Sequence, residues 1–221
     1  MPVMIEDFAR LIPKELLDKS GAAFYSGRDA FEGDPPLYVL GLNPGGNPRK
    51  LKKVTVERHT NKLLTSEPDD WSAYRDETWD TSKRSAMQLR MLHLLERINL
   101  SPGSVPASNV VFLRSSREAQ IQTEFRSLAD SCWPFHQNVI ERLQPKVVLC
   151  FGKTAGGYVR AKLGASKQVD KFVEDNNRKW CSRSFCNPLG VTVIEATHPA
   201  IADWRNPATD PTRLVEAALA S

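Results

Sequence analysis

The chain has little of what would mark a secreted, membrane-embedded or metal-clustered protein. Its four cysteines, Cys132, Cys150, Cys181 and Cys186, form no CxxC pair, and a zinc ribbon needs thiolates paired at that short spacing. A disulfide framework belongs to short, cysteine-dense chains made in oxidising compartments, so reduced thiols are expected, with Cys150 inside an apolar run that reads as core. No apolar run approaches the length of a bilayer span or a secretory signal core. Internal repeats and low-complexity tracts are missing too. Lys and Arg together number 30 against 26 Asp and Glu, a surplus too small to announce a polyanionic partner by itself. These absences lead us to expect a soluble, intracellular, cytoplasmic protein with no metal and no membrane partner.

What is present is an ordinary globular composition, 41% hydrophobic and 25% charged over 221 residues, which suits one domain spanning 1–221. Four segments read as buried strands: LYVLGL at 37–42, NVVFLR at 109–114, KVVLCF at 146–151 and VTVIEA at 191–196. Helical patterns lie between them. Met87, Met91, Leu94, Leu95 and Ile98 recur at helical spacing, as do Phe135, Val139, Ile140 and Leu143, with Pro134 expected in the first turn and Pro145 as the stop. Thr154 to Leu163 reads as a third helix, and Asp210 caps a fourth that has Pro211 at its first position. Alternating strands and helices with near-continuous apolar strand runs predict an α/β fold. The expected form is a single three-layer α/β/α domain with a central four-stranded, mainly parallel sheet. Residues 46–83 and 165–190 are long for simple connections.

Such sheets bind ligands beyond the carboxyl ends of their strands, so the loops there carry the information. GLNPGGNP, Gly41 to Pro48, follows the first strand and THPAIADW, Thr197 to Trp204, follows the last. An Asn-Pro-Gly cluster can simply turn the chain, and a lone histidine is ordinarily structural; two such loops could face each other across a crevice. A basic run follows the first loop: Arg49, Lys50, Lys52, Lys53, Arg58 and Lys62 stand against one acid, Glu57. It either solvates a loop or lies along phosphates. GKT at 152–154 is no phosphate-binding loop, because Val147 occupies the position where that motif needs glycine.

The order GLNPG, NVVFL, PKVVLCFGKTA and THPA, over roughly residues 37–204, resembles the uracil-DNA glycosylase superfamily, a set of motifs weak singly but specific in sequence. GLNPG is most similar to the GINPG form of the mismatch-specific thymine and uracil glycosylases, THPA to the HPS loop of other branches. The resemblance implies that Asn43 orients the attacking water and that His198 donates a hydrogen bond to the leaving base. An amide accepts no full proton near neutrality, so relatives with Asp there should be faster. Gly41, Leu42, Pro44 and Gly45 would line the base pocket. Gly45 stands where strict uracil enzymes carry a tyrosine that blocks C5 substituents, so the pocket should be roomier. Asn109, expected to open the second strand, would read the base edge. Pro199, Ala200 and Ile201 would press into the DNA, with Ile201 as apolar wedge. Of the four cysteines that bind an iron–sulfur cluster in thermostable branches, only the position of Cys132 is matched, so no cluster and no cofactor is expected.

N-glycosidic cleavage builds positive charge on the sugar and negative charge on the base, which a placed water and a donor to the base answer. The expected activity is therefore that of a monofunctional DNA glycosylase of uracil or a mispaired or modified pyrimidine, in duplex or single-stranded DNA. A monomer in a bacterial cell is the expected setting. Two alternatives stay open: an antiviral defence glycosylase excising a bulky 5-modified pyrimidine from phage DNA, and a non-catalytic nucleic-acid-binding domain. Stacking of an extruded base needs an aromatic face, for which Trp71, Tyr74 and Trp79 are candidates without a choice among them.

Overall fold

The computed structural model describes residues 3–78 and 83–221. Among the described residues the chain forms helices α1 (Ile5–Ala9), α2 (Arg28–Glu32), α3 (Val56–Ser66), α4 (Ala73–Asp76), α5 (Ala86–Arg97), α6 (Phe125–Leu143), α7 (Lys153–Leu163) and α8 (Thr212–Ala220). The strands are β1 (Leu37–Gly41), β2 (Ala107–Asn109), β3 (Val147–Phe151), β4 (Lys167–Val173), β5 (Cys181–Cys186) and β6 (Thr192–Ala196). They make one sheet in the order β2-β1-β3-β6-β5-β4. The first four are mutually parallel, while β5 runs antiparallel to β6 and β4 to β5. The expected α/β class holds, with six strands in place of four. The extra pair is a hairpin drawn from the polar stretch 165–190, whose strand β4 shows most of its residues to solvent and so carries no apolar run to announce it.

Alternation along each parallel strand fills a core on either face, as the pleat requires. Tyr38 and Leu40 of β1 with Val148 and Cys150 of β3 pack against α1, α6 and α7. Leu37 and Val39 with Val147, Leu149 and Phe151 pack against α5 and α8. The α5 stripe of Met91, Leu94 and Leu95 is buried as its spacing predicts, and its start is fixed by a capping box between Ser85 and Gln88.

Two sequence expectations are corrected. The second strand is Ala107–Asn109, paired Val39 with Ala107 and Gly41 with Asn109, so Asn109 closes that strand instead of opening it. The apolar run behind it, Val110 to Phe112, is fully buried but departs from the sheet. The Phe112 carbonyl accepts from Ala22 N at 3.0 Å and Arg114 N donates to the Ser20 carbonyl at 2.9 Å. An apolar run reports burial, and burial was satisfied here by the core under α6. Pro134 likewise lies inside α6, which starts at Phe125. An interior proline costs roughly 3 kcal/mol. It is borne here because Pro134 and Asp130, whose carbonyl loses its partner, both face water.

Candidate active site

The loops after β1 and β6 enclose a cavity of about 870 Å³ at the carboxyl edge of the parallel strands, and Asn43, Asn109 and His198 all line it. The β1 loop is pinned through its asparagine. Asn43 Nδ2 donates to the carbonyls of Pro44 at 3.0 Å and Leu113 at 3.2 Å and to Ser115 Oγ at 2.9 Å. With the amide nitrogen so committed, Oδ1 is left as the acceptor for a water. The detour of residues 110–115 out of the sheet supplies two of these three anchors.

His198 is oriented by its own loop. Its Nδ1 accepts from Ala200 N at 3.0 Å, which fixes the tautomer and leaves Nε2 as the donor. Burial lowers its pKa, with Glu118 partly opposing, so the ring is neutral at pH 7. Phe151 meets it edge-on, 5.8 Å between centroids. Trp204, fully buried, donates from Nε1 to the Thr197 carbonyl at 3.0 Å, and Arg90 of α5 donates to the Pro199 carbonyl at 2.6 Å while pairing with Asp203 at 3.2 Å. The loop is therefore braced from both sides. Pro199 is buried; of the three residues expected to press into DNA, only Ala200 and Ile201 are exposed, Ile201 at 57%.

Gly41 and Gly45 differ in why they are glycine. A Cβ on Gly41 would collide with Asn109 Oδ1, whereas one on Gly45 would meet nothing within 4 Å. Only Gly41 is thus required by close approach, and it lets the Asn109 amide lie over the end of β1. Gly45 has open space beside it. Leu42 and Gly45 line the cavity, and Pro44 is buried. Arg49, Lys50, Lys52 and Lys53 are exposed beside it, just after Gly45 and Gly46 on its rim.

Of the aromatic candidates, Trp71 is buried in the core against His59 and does not line the cavity, Tyr74 does line it, and Trp79 lies outside the described residues. Sequence reasoning missed Tyr25, Phe151, Glu77 and Trp180, which also line the cavity. Tyr25 is placed by Tyr25 N donating to the Ala107 carbonyl at 2.8 Å. Its hydroxyl lies near the Asn109 side chain, and burial raises its pKa. Burial also pushes the Glu77 carboxyl up to about 7, against the pull of Arg114 and Lys62. Phe151 could have been found, since it ends the third apolar strand at the same edge; the others have no local signal. All four thiols are free, and among the described residues no group of three or more His, Cys, Asp or Glu gathers as a metal site. No described helix is long and apolar enough to cross a membrane.

In comparisons with known proteins, no family model and no curated sequence matches the chain.

Proposed function

We propose that this protein is a DNA glycosylase of the uracil-DNA glycosylase kind, hydrolysing the bond between a pyrimidine and its deoxyribose without a covalent enzyme intermediate. The observation that carries the reading is the meeting of Asn43 and His198 in one cavity, each with one end tied down and the chemically useful end left over. Asn43 Oδ1 would orient a water toward the sugar carbon. As the glycosidic bond breaks, its electron pair leaves with the base, and neutral His198 Nε2–H donates to the base carbonyl that gains negative charge. The water oxygen bonds to the sugar carbon, one of its protons passes to solvent, and the released base takes up a proton. Asn109, packed closely over Gly41 and near the Tyr25 hydroxyl, offers donor and acceptor to the base edge.

The test is incubation with single- and double-stranded oligonucleotides carrying uracil, mispaired thymine or 5-substituted pyrimidines, followed by alkaline cleavage of abasic sites. Strand breaks at the target base are expected, with Asn43→Ala and His198→Ala each slower by about two to three orders of magnitude, the scale of losing one placed polar group. An absence of breaks with every base, or variants as fast as the parent, overturns the reading and leaves a nucleic-acid-binding role.

A second reading within this chemistry, excision of a bulky 5-modified pyrimidine as in defence against phage DNA, is favoured by the cavity size. Its 870 Å³ sits near the top of the roughly 300–1,000 Å³ usual for small-molecule pockets, more than an unmodified pyrimidine fills. Gly45→Tyr should then suppress excision of 5-substituted bases more than of uracil. Equal loss on both removes this second reading.

A further inference from the structure

The hairpin of β4 and β5 has no part in the chemistry above, yet its turn reaches the cavity mouth. Because β5 is antiparallel to β6, with Arg183 opposite Glu195, β5 begins where β6 ends. Thr197 N donates to Ser182 Oγ at 2.9 Å, so the residue before β5, Trp180, stands beside the His198 loop and lines the cavity while 39% exposed.

Trp180 is also held. Its carbonyl accepts from Glu174 N at 2.8 Å, and Asp175 N donates to the Ala208 carbonyl at 2.8 Å. The Arg178 guanidinium lies over the indole, 4.2 Å from the ring centroid. The same guanidinium donates to the Ile201 carbonyl at 3.1 Å and to Glu174 Oε2 at 3.0 Å, a carboxylate that is itself buried. A large aromatic ring left half in water is costly to keep there; this one is braced by the pairing of Arg178 with the buried Glu174 carboxylate and by two backbone bonds, next to Ile201.

Resting on the glycosylase reading, we propose that Trp180 is a stacking platform for the nucleobase adjacent to the extruded nucleotide. A base whose neighbour has left the helix is short of one stacking partner, and an indole restores the stack whatever the base, since every base presents a π-face. Arg178 covers one side of the ring and brings a cation toward the phosphates of the same strand. Because the platform is fixed before DNA arrives, little ordering entropy opposes its use.

The probe is a DNA oligonucleotide carrying the fluorescent base 2-aminopurine beside a non-cleavable abasic-site analogue, titrated with the parent protein and with Trp180→Ala, Trp180→Phe and Trp180→Leu. Binding to the parent should change the 2-aminopurine emission by stacking. Trp180→Ala should abolish that change and weaken affinity about tenfold, equivalent to about 1.4 kcal/mol. Trp180→Phe should recover most of both and Trp180→Leu neither. Affinity and emission unchanged in Trp180→Ala overturn the platform, and so does recovery by Trp180→Leu equal to that by Trp180→Phe, which would make the interaction mere apolar burial. The readout needs no excision, so a parent protein that cleaves no base would sink the glycosylase reading while these titrations still decide the platform.

Discussion

Glu77 is a carboxyl inside the cavity whose charge is poised near neutrality, held there by burial with Arg114 and Lys62 pulling down and Glu67 pushing up. Below about pH 7 it is neutral. Above that it places a negative charge in the space where a base would leave as an anion, and like charges in a shielded cavity repel strongly. Single-turnover excision should therefore fall as pH rises through about 7, and Glu77→Gln should remove that inflection; an unchanged inflection assigns it to another group. This residue had no signal in the sequence, in contrast to Asn43 and His198. Those two were readable because each sits in a short motif directly after a strand, where the fold class itself says a site belongs. Glu77, Tyr25 and Trp180 come to the cavity through bonds between distant segments, such as Gln88 Nε2 to the Glu77 carbonyl at 2.7 Å and Ala73 N to the Tyr25 carbonyl at 2.9 Å.

At the scale of elements, the segment from Arg49 into α3 is a stretch of exposed cations beside the cavity rim. If those side chains lie along phosphates, Lys52→Ala with Lys53→Ala should weaken binding to all sequences alike. Each lysine–phosphate pairing removed should lower the slope of log affinity against log salt by about 0.9 on duplex DNA. An unchanged slope in a salt titration returns the run to a solvated loop. Strands β1, β3 and β6 were legible because each is buried on both faces and so is continuously apolar. The hairpin β4–β5 was not, since its outer strand meets water. Helix α6 was half legible: Pro134 suggested a beginning, but an exposed proline can sit mid-helix where water serves the orphaned carbonyl, and periodicity cannot tell the two cases apart.

For the whole molecule, two interior histidines set the acid limit. His136 is fully buried, sharing a 2.8 Å hydrogen bond with the Tyr38 hydroxyl, and His59 packs between Tyr25 and Trp71. Burial lowers both to about 4, from about 6.5 in an unfolded chain. Between these values the unfolded state binds more protons, so the stability is fully present above pH 6.5 and is lost as pH falls toward 4. Glu77 acts oppositely and more weakly in count, costing stability as pH rises from about 4.5 to 7. Thermal midpoints should thus drop from pH 6.5 to 4, and His136→Phe should flatten the drop; a midpoint insensitive to pH in that window would contradict the burial of these rings. The strand order has a consequence of another kind. Loops bearing Asn43 and His198 leave β1 and β6, and β3 alone lies between those strands. Neighbouring strands sit about 4.8 Å apart, so the two loops start about 10 Å from each other, a gauge set by backbone pairing. Side-chain substitutions can reshape what the gap holds, but its width comes in whole strands, and only a rearranged sheet could change it.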